Sequence, residues 1–153
     1  ANDNSNGQIV VSGKNKDLEI LTDELKKKSI KNIRLPVSAP FHSKLMSPAT
    51  EIMKTEIMNT TFNDSKIAII SNVTSNEVKK SEDIKDLLIK QIESPVRWRE
   101  SIIYMIKNEV KNFVEIGPGK ILSGMIKRID RNVNIVSVNE LNDLKNINLN
   151  DWF

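Results

Sequence analysis

The chain has 153 residues, enough to bury one ordinary hydrophobic core, and 39% of them are hydrophobic. It contains no cysteine, which excludes a disulfide framework and a cysteine nucleophile, and its single histidine argues against a metal centre. The net charge is +3, but lysines and acidic residues interleave along the chain and aromatic residues are few, so nucleic-acid binding is not expected. No apolar run reaches the ~18 residues that a membrane span needs, so no membrane span is expected.

The first forty residues predict a β-α-β unit. The β-branched run Gln8–Ser12 ends at a glycine and predicts a strand. The spacing of leucine and isoleucine predicts a helix from about Lys16 to Lys28, and Asn32–Val37 predicts a second strand. We therefore expect a small unit over residues 1–40.

Residues 41–153 predict helices alternating with strands. The predicted helices are Ser43–Asn59, Ser81–Ile92, Pro95–Asn108 and a segment that follows Gly119 and ends near Ile129. The predicted strands are Lys66–Ser71, Asn112–Ile116 and Asn134–Val138, followed by a polar, asparagine-rich tail. This alternation predicts an α/β class with a largely parallel sheet.

The only histidine, His42, follows Pro40 and Phe41. Pro40 stiffens the backbone, and Ser43 is a suitable N-cap for the helix that follows, so His42 is expected in a rigid loop at the start of a helix. Such a position suits a general base, because imidazole exchanges protons near neutral pH. On these residues alone, an ordinary packed or solvated loop histidine is the simpler interpretation.

Four segments, in this order, resemble one known family. They are Asn4–Gly13 (NSNGQIVVSG), Leu35–Ala49 (LPVSAPFHSKLMSPA), Gln91–Trp98 (QIESPVRW) and Phe113–Arg128 (FVEIGPGKILSGMIKR). Together they resemble bacterial malonyl-CoA:acyl carrier protein transacylases, from about residue 2 to residue 138. The resemblance implies that residues 1–40 are the second half of a ferredoxin-like small subdomain. Residues 41–153 would then be the C-terminal part of an α/β-hydrolase-like acyltransferase domain.

The family's serine nucleophile, its carboxylate-binding arginine and its glutamine-bearing oxyanion loop have no counterpart here. Glycines occur only at positions 7, 13, 117, 119 and 124, and no serine lies between two of them at the spacing of a Gly-His-Ser-x-Gly elbow. We therefore expect a C-terminal portion that is inactive without the missing N-terminal half. Apolar residues that this half would cover should then be exposed, namely Ile67, Ile69, Val114 and Ile116.

The resemblance also implies the site residues. His42 would be the general base, with a ring nitrogen within about 2.6–3.2 Å of the Gln91 main-chain oxygen. Phe41 would favour a malonyl group over a branched one, and Asn4 and Gln8 would lie near the entrance for CoA and pantetheine. Each also has a structural interpretation: Gln91 as an ordinary helix end, Phe41 as packing, and Asn4 and Gln8 as turn residues.

The implied reaction moves a malonyl group from malonyl-CoA to the pantetheine thiol of acyl carrier protein through an acyl-serine. It belongs to fatty acid synthesis in the cytoplasm and needs neither a metal nor a cofactor. Lys26–Lys28 and Lys79–Lys80 are candidate contacts for the acidic carrier protein, although such runs are usually solvated faces. Two alternatives stay open: the matching part of a polyketide synthase acyltransferase domain, and a non-catalytic remnant that binds the carrier protein.

Overall fold

The computed structural model describes residues 1–145, in which helices and short strands are mixed; the final asparagine-rich residues of the predicted tail lie outside them. The helices are α1 (Asn15–Lys27), α2 (Ser47–Asn59), α3 (Ser81–Gln91), α4 (Trp98–Lys107), α5 (Ile121–Ile129) and α6 (Leu141–Lys145). The strands are β1 (Asn2–Ser5), β2 (Gln8–Val10), β3 (Ile69–Ile70), β4 (Glu77–Val78), β5 (Asn112–Ile116) and β6 (Asn134–Val138). The predicted mixed α/β class is confirmed.

The strands of residues 1–145 form three pairs. β5 and β6 are parallel and joined through α5, whereas β1–β2 and β3–β4 are antiparallel. The turn between β1 and β2 contains only Asn6 and Gly7, and Gly7 has a φ of +75°, so the connection is a tight hairpin that requires antiparallel strands. One of the three pairs, β5–β6, is thus parallel, but the described residues do not build the largely parallel sheet that the sequence predicts.

The predicted strand Asn32–Val37 is wrong, and with it the β-α-β unit in this part of the chain. The segment is extended loop, and its only backbone bond to a near neighbour runs from Val37 N to Leu35 O, 2.9 Å. A strand needs a neighbouring strand for its N–H and C=O groups, and none lies beside this segment within residues 1–145. The predicted strand Lys66–Ser71 is likewise shortened to Ile69–Ile70.

The helix expected from Pro95 begins instead at Trp98. The reason is that Val96 pairs with the N-terminal strand: Asp3 N donates to Val96 O at 2.9 Å, and Val96 N donates to Ala1 O at 2.7 Å. Since these backbone groups are engaged in a parallel bridge, the first turn of a helix cannot include them. The bridge ties β1 to the segment that connects α3 with α4.

The hydrophobic core lies in the C-terminal part of the described chain. Its buried members are Ile102, Phe113, Ile126 and Val133, from α4, β5, α5 and the approach to β6. Trp98 packs against this cluster. The core therefore fixes α4 and α5 on one face of the β5–β6 pair.

Several large apolar side chains outside this core are exposed. Ile67 and Ile116 are each 80% exposed, and Ile69 and Val114 are also exposed, so the expectation for these four residues is confirmed. Among the described residues, β5 pairs with β6 alone. Apolar surface of this kind is typical of a face that another chain or segment covers.

Candidate active site

His42 lies in the histidine loop (Pro40–Ser43), which precedes the 3₁₀ turn Lys44–Met46 and α2. Its φ of +57° falls in the left-handed region that a non-glycine residue rarely adopts. The Ser43 hydroxyl donates to Pro40 O at 2.7 Å and accepts a hydrogen bond from Leu45 N at 3.3 Å. Ser43 thus caps the 3₁₀ turn and holds the loop closed beneath His42. Contrary to the sequence prediction, it does not cap the following helix, because α2 begins only at Ser47.

The half-buried His42 ring contacts the C-terminal end of α3. Its Nδ1 lies 3.2 Å from the Gln91 main-chain oxygen, so the expected contact is present. The last carbonyls of a helix have no partner within the helix, and this one is therefore available to an outside donor. Because a carbonyl only accepts, Nδ1 carries the hydrogen and Nε2 carries the lone pair. Within residues 1–145, Nε2 forms no hydrogen bond and can accept a proton.

The Gln91 side chain holds the end of α3 in place. Its amide nitrogen lies 3.4 Å from His42 Nδ1 and 3.2 Å from Ser94 O. Two donors cannot share a hydrogen bond, so the amide donates to Ser94 O while the imidazole donates to the main-chain oxygen. Ser94 N also donates to Lys90 O at 3.0 Å, which closes the turn after α3.

An ion pair fastens this turn to the N-terminal strand. Arg99 binds Asp3 through both ends of its guanidinium, with Nε–Oδ1 3.0 Å and Nη2–Oδ2 2.7 Å. The hydrogen bonds that Arg99 donates to Asp3 raise the pKa of Arg99. The two residues are 96 positions apart, and nothing in either local sequence predicts the pairing. Together with the bridge at Val96, it fixes β1 against the start of α4.

Arg97 is only partly exposed and also holds the start of α4 against a neighbouring element. Its guanidinium pairs with Glu100 and donates to Val73 O at 3.2 Å, and the hydrogen bond to Glu100 raises the pKa of Arg97. Its main-chain nitrogen donates to Asn72 O at 3.1 Å. Arg97 therefore connects the β3–β4 hairpin to α4.

The other predicted site residues are Phe41, Asn4 and Gln8, and they do not all lie at the contact between His42 and Gln91. Phe41 precedes His42, is 48% exposed, and accepts a hydrogen bond on its main-chain oxygen from Ser12. Asn4 is buried in β1, and Gln8 accepts a hydrogen bond from Arg128 Nη1 at 2.8 Å. Within residues 1–145, neither Asn4 nor Gln8 is hydrogen-bonded to His42 or Gln91. The structure thus joins His42, Gln91 and the backbone of Phe41, and leaves Asn4 and Gln8 apart from them.

The turn Gly117–Gly119 could have offered backbone N–H groups to an anion, but a carboxylate of the chain already occupies the start of α5. Glu115 accepts hydrogen bonds from Leu122 N at 3.0 Å and Ser123 N at 2.8 Å. The Ser123 hydroxyl, at 2.5 Å, and these N–H groups lower the pKa of Glu115. The turn is therefore structural, and Glu115 caps α5.

Replacing Glu115 with alanine should destabilise the chain by ~1 kcal/mol, the usual cost of a lost helix cap. Because the folded state lowers this pKa, the contribution is present above the ordinary value of 4.5 and is lost as the pH falls through the lowered value. Urea unfolding of both proteins at several pH values measures it. Glu51→Ala, which removes an exposed carboxylate without hydrogen bonds in α2, is the control. Equal losses in the two variants would contradict the cap.

Within the part of the chain that the structure describes, no group of three or more histidine, cysteine or acidic side chains could hold a metal ion. The same residues contain no helix with the length and apolar character needed to cross a membrane. Among the protein groups of the site, the oriented imidazole is the one suited to proton transfer.

An oriented histidine on an α/β scaffold is an arrangement used in acyl transfer. The similarity of the chain to known proteins agrees with this. Residues 1–145 match the acyl transferase domain family, and the chain belongs to that family. Within it, the chain is 43% identical over 141 residues to the malonyl CoA-acyl carrier protein transacylase of Bacillus subtilis (strain 168). That alignment covers 92% of this chain and 44% of the relative.

Solved structures give the same fold. The acyl-carrier-protein S-malonyltransferase of Bartonella henselae superposes with a TM-score of 0.91 at 37% identity, covering 95% of this chain and 47% of that one. A malonyl-transacylase in complex with a type II polyketide synthase acyl carrier protein superposes with a TM-score of 0.89 at 32% identity, over 95% and 47% of the two chains. The chain thus spans about half the length of the relatives that it matches.

Proposed function

We propose that this chain is the histidine-bearing part of a malonyl-CoA:acyl carrier protein S-malonyltransferase. The observation that carries the proposal is the hydrogen bond between His42 Nδ1 and the Gln91 main-chain oxygen, 3.2 Å long. It leaves Nε2 as a free base in a family whose members named above transfer malonyl groups. A neutral carbonyl orients the ring without placing a negative charge beside an anionic malonyl group.

In the first half-reaction, a serine hydroxyl gives its proton to His42 Nε2 as its oxygen attacks the thioester carbonyl of malonyl-CoA. The carbon–sulfur bond of the thioester breaks, and the CoA thiolate takes the proton back from Nε2. The products are a malonyl-serine ester and free CoA. His42 Nδ1–H donates to the Gln91 oxygen throughout, so the imidazolium that forms is stabilised in place.

In the second half-reaction, the pantetheine thiol of acyl carrier protein gives its proton to His42 Nε2, and the thiolate attacks the ester. The ester carbon–oxygen bond breaks, and the serine oxygen recovers the proton. The net result is malonyl transfer from one thiol to another, with no change of oxidation state and no cofactor. One base at one position serves both steps, because each begins with deprotonation of a nucleophile and ends with protonation of a leaving group.

The nucleophilic serine would come from a part of the enzyme that this chain does not span. Two observations support this: the 153 residues contain no nucleophile elbow, and the alignments cover 44–49% of the curated relatives. Residues 1–40 would complete a ferredoxin-like subdomain, and residues 41–153 the acyltransferase domain. The same missing part would supply the arginine for the malonyl carboxylate and would cover exposed residues such as Ile67 and Ile116.

The acyl pocket would lie beside Phe41, whose exposed ring is adjacent to His42 in the chain. Asn4 and Gln8 would face the CoA and pantetheine arms along the β1–β2 hairpin. The similarity to a transacylase of a type II polyketide synthase favours acyl carrier protein as acceptor, and it keeps a polyketide role as the alternative to fatty acid synthesis. The cytoplasmic location stays a prediction.

Labelling with radioactive malonyl-CoA tests the proposal directly. The chain alone should acquire no covalent label, because a base without its serine cannot form the acyl-enzyme. The Bacillus subtilis relative is 43% identical to this chain over the region that aligns with it. Co-expression of this chain with the N-terminal part of that relative should give label on the serine of that part. Addition of acyl carrier protein should then remove the label. Stable labelling of a serine of this chain would show that the chemistry is misassigned.

A further inference from the structure

We infer that Ser12 is a positioning residue for His42. Its hydroxyl donates to the Phe41 main-chain oxygen at 2.7 Å, across 29 positions of sequence. The inference rests on the proposed role of His42 as the base, and it adds a residue that neither the motifs nor the similarity assigns to the site.

The geometry links this hydrogen bond directly to the histidine. The Phe41 carbonyl belongs to the same peptide plane as the His42 nitrogen, and rotation of that plane about the N–Cα bond is the φ angle of His42. That angle, +57°, lies in the left-handed region, which is sterically disfavoured for a residue with a Cβ atom. Ser12 fixes the plane by its oxygen, so it opposes relaxation of His42 to an ordinary negative φ.

Ser12 acts from a rigid support. It lies two residues beyond β2, whose partner β1 is bonded to Val96 and, through Asp3, to Arg99. Val96 follows the turn that begins at the end of α3. The histidine loop is therefore held from two sides, by Ser12 at Phe41 O and by the Gln91 oxygen at the ring, and β1 connects the two supports.

Loss of the Ser12 hydroxyl should release the peptide plane between Phe41 and His42, while the Ser43–Pro40 hydrogen bond and the rest of the fold stay intact. With His42 relaxed toward negative φ, the ring leaves the Gln91 oxygen, and the Nδ1–H form loses the acceptor that selects it. An imidazole in water prefers the Nε2–H form. We therefore expect the Ser12→Ala variant to shift the tautomer ratio toward Nε2–H by roughly 3- to 10-fold, the range that one neutral hydrogen bond supports.

The test is the ¹⁵N spectrum of the imidazole, which is free of overlap because His42 is the only histidine of the chain. Ser12→Ala should show the shift and Ser12→Thr, which keeps a hydroxyl, should restore the original ratio. Ser65→Ala is the matched control, since it also deletes a hydroxyl that donates to a main-chain oxygen, that of Ile67 at 2.5 Å. It should behave like the unaltered chain.

An unchanged tautomer ratio in Ser12→Ala would overturn the inference. So would loss of the dispersed amide spectrum in that variant, because Ser12 would then stabilise the fold in general rather than the loop. The measurement needs no turnover, so it is independent of the labelling experiment. If malonyl transfer were absent and the tautomer shift present, the proposed function would fail and the positioning role of Ser12 would stand.

Discussion

Replacing His42 with alanine in the chain co-expressed with the N-terminal part of the Bacillus subtilis relative should reduce malonyl transfer ~10²- to 10⁴-fold. This is the usual contribution of a general base. In the proposed mechanism, both half-reactions begin by removing a proton from a neutral nucleophile, and alanine offers no acceptor for it. The rate of label transfer from malonyl-CoA to acyl carrier protein measures the effect. Since His42 is half-buried in a loop outside the hydrophobic core, the variant should remain folded.

Substitutions at Gln91 are the matched controls for this result. Gln91→Ala should do much less harm than His42→Ala, because the proposed contact uses the main-chain oxygen, which alanine retains. Gln91→Pro should be more damaging than Gln91→Ala, because proline removes a helix N–H and distorts the end of α3. Near-normal transfer by the His42 variant would rule out its catalytic role, and a Gln91→Ala loss as large as that of His42→Ala would assign the contact to the side chain.

Elements that depend on local pattern were predictable from the sequence. α1, α2 and α3 lie within a few residues of their expected bounds, and β5 and β6 match their predictions, because apolar spacing and turn residues are properties of short segments. Pairing partners were harder to predict. β1 was not recognised as a separate strand, and its bond to Val96 delayed the start of α4, since a parallel bridge across some ninety residues leaves no local pattern.

The failure at Asn32–Val37 has the same origin. Alternating apolar residues such as Ile33 and Leu35 predict a strand, but strand propensity describes how well side chains suit a sheet surface. In residues 1–145, no sheet lies beside this segment, and its apolar side chains are exposed. The prediction was correct about the residues and lacked the neighbour that would have made them a strand.

The candidate site, too, was predictable from the sequence only in part. That His42 lies in a stiff loop before a helix followed from Pro40 and Ser43 alone. Its contact with Gln91 came only from the family resemblance, because a main-chain acceptor can be offered by any residue and so has no sequence signature. Ser12 had no signal at all: a serine at the end of a strand is ordinary, and only the fold brings its hydroxyl to Phe41.

Replacing Ile102 with alanine should lower the free energy of unfolding of the chain by ~2–5 kcal/mol. Ile102 is 0% exposed and lies in α4 at the centre of the small core with Phe113 and Ile126, so the truncation leaves a cavity that few neighbours can fill. Against a typical total of ~5–15 kcal/mol, such a loss is large. Urea unfolding followed by circular dichroism measures it.

Ile67→Ala is the control for this prediction, since it makes the same truncation at a side chain that is 80% exposed. It should change the free energy of unfolding by less than ~0.5 kcal/mol, because alanine there removes no buried contact. The contrast locates the stability of the isolated chain in the α4–β5–α5 core, which also supports the turn behind Gln91 through Val96 and Arg99. Equal effects of the two substitutions would mean that Ile67 is covered in solution by another copy of the chain, and the size of the species by light scattering would then exceed that of a monomer.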